Sequence, residues 1–413
     1  MKVLYNFFIV LAEKLLPVIA LFSSKLRLFV SGRKNTFTSL RKELNNKPVI
    51  WVHAASLGEY EQAVPILNRF RKNYSQYQIL VSFFSPSGYE IKKNTAIADA
   101  VCYLPLDTKK NAKQFIKIVQ PKLAIFIKYE VWPNYLAQLQ QQKIPCLLVS
   151  GLFRKDQHFF KSYGKFMRKV LERFTYIFVQ DKNSLNLLKN YDFRKVAISG
   201  DTRFDRVSAQ LKIDNKLAFA EEFVAEKPCL VCGSTWPEDE TYLSNFINNT
   251  RQEAKYIIAP HQIEASKIKA FQKALKKPSI LYSEIEGQNL NNFSVLIIDT
   301  IGLLSKLYNY ADVAYVGGAM GNTGLHNILE PATFGVPIVI GKNFEKFPEA
   351  KALQTHDGLF SVKDQQEMNV ILQHLLFRKE EQEKAGQNAK DFVIKRTGAT
   401  TKIMDYISEQ ALL

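Results

Sequence analysis

The sequence predicts an α/β protein: two Rossmann-like domains facing a cleft, preceded by an N-terminal membrane-associated helix. Three observations lead there. From Pro48 onward, short apolar runs alternate with helix-length amphipathic stretches, the βα rhythm of a mostly parallel sheet covered on both faces. The rhythm lapses once, over a polar and featureless stretch at 205–216, and then resumes. A length of 413 residues also suits two domains better than one. The expected division is 1–45 for the helix and a basic segment, 46–205 for the first domain and 206–413 for the second.

Residues 5–30 are rich in Leu, Ile, Val and Phe, but Glu13 and Lys14 interrupt the run and Lys25 and Arg27 follow it. A spanning helix wants about 20 consecutive, mainly apolar residues. No small-residue cleavage site follows a short apolar core, so a removed signal peptide is not expected. A helix lying in the membrane interface, or shallowly anchored, fits best; an ordinary core helix is the alternative. Lys25, Arg27, Arg33, Lys34, Arg41 and Lys42 then fall on what would be the cytoplasmic side.

In the first domain, strands are expected at 49–53, 78–84, 100–104, 122–127, 145–150, 176–180 and 197–200. Helices are expected at about 59–72 and 133–142. In the second domain, strands are expected at 229–232, 256–259, 279–281, 294–299, 313–317, 337–340 and 358–362. A basic, aromatic helix is expected within 153–173, where Phe159, Phe160, Tyr163 and Phe166 could enter lipid while Lys161, Lys165, Arg168 and Lys169 meet phosphates. Its alternative is a helix with an apolar core face and a solvated basic face.

Charge divides the chain. Residues 1–210 carry 34 Lys and Arg against 14 Asp and Glu, a surplus of 20, whereas residues 211–413 carry 22 against 25. The first half is therefore drawn to polyanions: nucleic acid, anionic head groups or a phosphorylated substrate. Four cysteines, Cys102, Cys146, Cys229 and Cys232, give no disulfide framework in a chain this long. Cys229 and Cys232 have the spacing of a redox or zinc pair, but on a strand residues three apart face opposite ways. A buried strand with two small thiols is the better reading.

Ligands of doubly wound sheets bind beyond the carboxyl ends of the strands, so the loops there carry the chemistry. The segment 312–331, Asp-Val-Ala-Tyr-Val-Gly-Gly-Ala-Met-Gly-Asn-Thr-Gly-Leu-His-Asn-Ile-Leu-Glu-Pro, runs an apolar strand into a glycine-rich turn. It delivers His326, Asn327 and Glu330 to a helix start, where backbone N–H groups suit a phosphate and a carboxylate suits ribose hydroxyls. After the first strand, Ser56-Leu-Gly58-Glu59 places a carboxylate at a helix start, with Gly58 permitting a tight turn. Partly desolvated, Glu59 could take a proton from an acceptor hydroxyl; complementing the helix dipole is the equal alternative.

Ser85, Ser87 and Gly88 offer hydroxyls and a flexible backbone, and Lys128 and Glu130 follow another strand. Arg203, between Asp201 and Asp205 at the hinge, could meet a donor phosphate or leaving-group charge, or form an interdomain salt bridge. In the second domain Gly233, Ser234 and Thr235 suit contacts to phosphate, His261 after Pro260 could reach a base or phosphate, and 299–302 adds another backbone approach. No His/Cys/Asp cluster has metal-ligand spacing, and Walker and nucleophile-elbow motifs are missing.

Taken in order, Trp51-Val-His-Ala-Ala-Ser-Leu-Gly-Glu59, Tyr103-Leu-Pro-Leu-Asp107, Glu130-Val-Trp-Pro-Asn134, Gly200-Asp-Thr-Arg-Phe-Asp205, Gly233-Ser-Thr235 and His326-Asn-Ile-Leu-Glu-Pro331 resemble the 3-deoxy-D-manno-octulosonic acid (Kdo) transferase family. The match covers essentially the whole chain; each motif is modest and six in sequence are specific. The resemblance implies an inverting, metal-independent glycosyltransferase of the GT-B fold, with no cofactor. It implies CMP-Kdo as donor, the lipid A precursor as acceptor, an anionic inner-membrane surface at the cytoplasmic face, and no nucleic acid as partner.

By the same resemblance Glu59 is the general base, and Arg203 and Lys128 assist the transition state. Ser56, Gly58, Ser85, Ser87, Gly88 and Glu130 belong to the acceptor side. Gly233, Ser234, Thr235, Pro260, His261, Ile301, Gly302, Leu303, His326, Asn327, Ile328, Leu329 and Glu330 belong to the CMP side. The chain departs from the pattern in four places. His261-Gln262 stands for the usual Arg-His, and Leu303 stands where Glu is common. Lys128 takes the first carboxylate position of Glu-Thr-Glu-Leu-Trp-Pro-Asn, and Arg203 replaces Lys. A nucleotide-sugar epimerase of the same architecture and a non-catalytic anionic-lipid-binding protein are the competing expectations.

Overall fold

A computed structural model describes residues 1–45 and 47–413. The chain forms two compact units: Met1–Arg206 with Thr397–Leu413, and Val207–Arg396.

The first unit is built on seven parallel strands: β1 (Val49–Ala54), β2 (Gln78–Phe83), β3 (Ala100–Tyr103), β4 (Pro121–Ile127), β5 (Cys146–Gly151), β6 (Tyr176–Val179) and β7 (Val196–Ile198). They lie in the order β3-β2-β1-β4-β5-β6-β7. Successive side chains alternate between two helix layers, so the strands read as unbroken apolar runs. Trp51, Ala124, Phe126 and Leu148 pack with Phe115, Tyr135 and Leu139. Ile50, Val52, Ile125 and Val149 pack with Ala63, Ile66, Leu67 and Phe70.

The second unit repeats the plan with β8 (Cys229–Thr235), β9 (Lys255–Pro260), β10 (Ser279–Leu281), β11 (Val295–Ile297), β12 (Val313–Val316), β13 (Ile338–Gly341) and β14 (Leu359–Val362). Their order is β10-β11-β9-β8-β12-β13-β14. Cys229 and Cys232 enter the cores on opposite faces of β8, both as buried free thiols.

In each sheet the winding reverses once: between β1 and β4, and between β8 and β12. Loops leaving the carboxyl ends of such a pair diverge to opposite faces and open a crevice.

Three expectations need correction. The stretch 205–216 is not featureless. It holds most of the helix Thr202–Ser208 and a 3₁₀ turn, Ala209–Lys212. Within that helix Asp205 accepts the backbone N–H of Gly398 (2.6 Å) and of Thr400 (2.6 Å), capping the start of a helix nearly 200 residues away.

The second domain does not run to residue 413. The helix Ala399–Glu409 belongs to the first unit, because its stripe of Ile403, Met404 and Ile407 completes that unit's core and Tyr406 packs on Tyr176 (4.4 Å).

The basic aromatic stretch is not one helix presenting four rings to lipid. Two 3₁₀ turns, His158–Phe160 and Ser162–Gly164, precede the helix Lys165–Leu171. Phe159 and Phe160 are buried against Phe153 at 6.0 and 5.9 Å, because three clustered rings gain more from one another than from solvent. Phe166 is half-buried and only Tyr163 of the four is exposed.

Candidate active site

β1 ends at Ala54 and the helix Leu57–Asn73 begins three residues later, with Ser56 as its N-cap. Ser-x-x-Glu before an apolar helix reads as a capping box, in which the glutamate would turn back to the cap N–H. It does not. Ser56 makes no side-chain cap bond; its hydroxyl donates to Glu59 Oε2 instead. The other oxygen, Oε1, faces Lys128 Nζ at 3.4 Å. Glu59 is 12% exposed and Lys128 28%.

Lys128 follows β4, so this ion pair crosses the reversal point of the first sheet. Its backbone is left-handed, φ +63°, as is that of Ser150 (φ +55°) in β5 and Ser234 (φ +54°) in β8. Non-glycine residues hold such angles at a cost of about 1–3 kcal/mol, and they collect at functional sites.

Behind the pair lies a buried histidine. His53 Nε2 accepts the Trp132 indole N–H at 3.1 Å, its Nδ1 lies 2.9 Å from Ser82 Oγ, and Glu130 Oε2 stands 3.7 Å from Nε2. His53 was not singled out from sequence. A polar residue fully buried inside an apolar strand is a signal that appears only once burial is known.

The acceptor-side loop is firmer than expected. Ser85 caps the helix Pro86–Lys92 by accepting Ser87 N–H, and the two hydroxyls are 2.9 Å apart. Gly88 is buried because a Cβ there would collide with the Phe83 ring, so it serves packing. Gly58 lies within the first helical turn, with only Ser56 Oγ near (3.9 Å from a Cβ), so no tight turn requires it. Arg203 is held by Asp201, with its Nε and a terminal nitrogen both 2.8 Å from Oδ2. Asp201 also accepts Gln62, one turn beyond Glu59. This bonding lies within the first unit.

In the second unit the loops after β8, β9 and β12 converge. Trp236 donates its indole N–H to His326 Nε2 at 3.0 Å, across the β8/β12 reversal. His261 stacks on Trp236 at 4.7 Å and 24°, and lies 4.3 Å from His326. Burial, aided by His261, pushes His326 down to about 4, and burial also lowers His261. Both rings are therefore neutral at physiological pH and present hydrogen-bonding, not cationic, edges.

Gly317 is required by close approach. A Cβ would strike the Ser234 carbonyl, and Gly318, at φ +94°, donates its N–H to Asp239 at 2.9 Å. Thr235 donates its hydroxyl to Glu240 (2.9 Å), and Gly233 is needed where Tyr308 packs against β8. Just before the short helix Leu329–Phe334, whose N-cap is Ile328, Asn327 accepts the Leu329 N–H at 3.1 Å, and its amide donates to Glu330 at 3.0 Å.

Ile328 and Leu329 point into the core, so only their backbones face outward chemistry. Pro260 ends β9 beside the stack. Ile301 is 89% exposed, Gly302 (φ +99°) stands in open space and Leu303 packs inward. Their loop leaves β11, one strand outside the converging three. Among the described residues, no three His, Cys, Asp or Glu side chains form a group that could hold a metal ion.

A family model described as 3-Deoxy-D-manno-octulosonic-acid transferase (kdotransferase) matches residues 31–206. The 3-deoxy-D-manno-octulosonic acid transferase of Haemophilus influenzae is 29% identical over 376 residues, 87% of this chain and 86% of that protein. The enzyme of the same name from Aquifex aeolicus is 29% identical over 346 residues, 82% of this chain and 88% of that protein. Among solved structures, UDP-GlcNAc 2-epimerase from Neisseria meningitidis superposes with a TM-score of 0.63 at 15% identity, covering 88% of this chain and 100% of its own. That last likeness speaks to the fold alone.

Proposed function

We propose that this chain, a member of the Kdo transferase family, moves Kdo from CMP-Kdo to the lipid A precursor (lipid IVA) in lipopolysaccharide core biosynthesis. It does so with inversion, without a metal, at the cytoplasmic face of the inner membrane. The observation that carries this reading is the setting of Glu59: a shielded carboxylate at the β1/β4 reversal, turned away from its capping role and toward Lys128.

In the proposed step Glu59 takes the proton of the acceptor 6′-hydroxyl. The freed oxygen attacks the anomeric carbon of Kdo, and the bond to the CMP phosphate oxygen breaks with its electron pair leaving on CMP. General-base assistance of this kind supplies about 10²–10⁴-fold. On protonation Glu59 loses the charge that held Lys128, whose ammonium then serves the anionic groups of the transition state together with Arg203.

On the donor side the Trp236–His261 stack offers a flat, neutral surface, and the Gly317–Gly318 backbone and the Asn327–Glu330 pair offer polar contacts to the nucleotide. The basic surplus of residues 1–210 suits a phosphorylated lipid acceptor. The helix and 3₁₀ turn Lys2–Phe22, long and apolar enough on composition to reach across a membrane, suit an enzyme working at a lipid surface.

The test is incubation of the full chain with CMP-Kdo and lipid A precursor, followed by mass spectrometry. The expected product is heavier by one or more Kdo units with CMP released. Unchanged acceptor beside an intact, vesicle-bound protein would sink the assignment.

A further inference from the structure

The helix Lys2–Ile19 is amphipathic in the inverse sense to a helix on a soluble domain. Its half-shielded residues are Tyr5, Asn6, Ile9, Ala12, Glu13 and Leu16, spaced as one face of a helix. That face holds the polar contacts. Tyr5 donates its hydroxyl to Asp107 Oδ2 (2.8 Å), Asn6 accepts from Asn134 (2.9 Å), and Glu13 accepts from Asn111 (2.5 Å). The opposite face is bare and, Lys14 apart, apolar: Val3 is 83% exposed, Phe7 61% and Val18 58%, and no residue of the helix is buried.

We propose that this helix lies flat in the membrane interface, docked on the first unit through Tyr5, Asn6 and Glu13, and does not cross the bilayer. The inference rests on the membrane reading above and settles how the helix meets lipid. The bonded residues Tyr5 to Glu13 occupy about 12 Å of helix axis at 1.5 Å per residue, the middle of the element. Crossing about 30 Å of hydrocarbon needs roughly 20 residues, and Lys2–Phe22 supplies 21. A crossing helix would therefore surrender all three bonds and carry Asn6 and Glu13 into lipid without partners. A flat helix keeps the bonds and gives its bare face to the acyl chains.

The occupant of that face is an anionic bilayer. Lys2 stands at one end, Lys14 between, and Lys25 and Arg27 just beyond the other, a frame that meets phosphate head groups and would repel itself in a pair of copies. The docking partners have a consequence for catalysis. Asp107 follows β3, and Asn134 follows the β4 loop that carries Lys128. Docking thus holds the Glu59 end of the sheet toward the membrane plane, where the head group of a lipid-borne acceptor lies.

Single cysteines at Leu4, Leu11 and Val18, all on the exposed face, can carry an environment-sensitive fluorophore in the full-length chain, since the four native thiols are buried. The protein is bound to phosphatidylcholine/phosphatidylglycerol vesicles holding quenchers at graded depths. A flat helix places all three labels at one depth, about 5–10 Å below the surface. A crossing helix puts Leu11 deepest, with Leu4 and Val18 shallower, towards opposite surfaces and about 21 Å apart along the axis, and would overturn the proposal while leaving membrane binding intact. No quenching at any position, or burial of the labels by self-association without vesicle binding, would overturn both. The combined Tyr5→Phe, Asn6→Ala, Glu13→Ala variant should lose the common depth; an unchanged profile would remove the docking role.

Discussion

Lys128 gives up backbone comfort to place one ammonium group. A left-handed angle costs an L-residue roughly 1–2 kcal/mol, which glycine avoids at a smaller entropic loss. Lys128→Gly should therefore leave the first unit as stable or gain about 0.5–1 kcal/mol in urea unfolding, while transfer falls at least tenfold because the partner of Glu59 is gone. A glycine variant with full activity would reduce Lys128 to a surface ion pair. Glu59 was legible in sequence because a glycine-bearing loop after an apolar strand sets a carboxylate at a helix start. That its carboxylate leaves the cap was not, since it depends on a strained lysine about seventy residues away. His53 lies within the Trp51–Glu59 motif and Trp236 directly follows Gly233-Ser-Thr235, but sequence assigns neither a role, because a ring's value lies in what it stacks on or bonds.

Two loops respond to pH, with opposite sign. His326 is pushed down from 6.5 to about 4. The unfolded chain then binds the proton that the folded loop refuses, so the second unit loses stability as pH falls from about 6.5 towards 4. Asp107, buried beneath the N-terminal helix, is pushed up from 3.8 to about 7 despite three hydrogen bonds. Its contribution is full below about 3.8 and is lost as pH rises to about 7. Because the groups sit in different units, amide exchange read separately in each sheet should show both slopes. His326→Gln should flatten the one in the second unit, and Asp107→Asn the one in the first. A pH-independent second sheet in the native protein would contradict the burial of His326. At this scale all fourteen strands were foreseeable, since buried parallel strands are written as apolar runs. The break between Phe160 and Lys165 was not, because clustered aromatics and a buried Gly164 decide it in three dimensions.

The division of the chain was misread at one place for a physical reason. A helix such as Ala399–Glu409 shows its apolar stripe in sequence but not which core the stripe completes. Ile403, Met404 and Ile407 are nearly or fully buried against the first unit, each worth about 1.5–3 kcal/mol. Ending the chain at Arg396 should cost that unit more than about 4 kcal/mol while the second retains its exchange protection. Equal loss in both would argue against the division seen here. The two reversal points, by contrast, follow from strand order, and both gather residues that sequence motifs had named.

The role of Glu59 is tested most directly by Glu59→Gln, assayed for Kdo transfer by product mass and for CMP binding by calorimetry. The account predicts transfer reduced at least about a hundredfold, with CMP affinity and unfolding unchanged. Transfer at the native rate by the glutamine variant would contradict it.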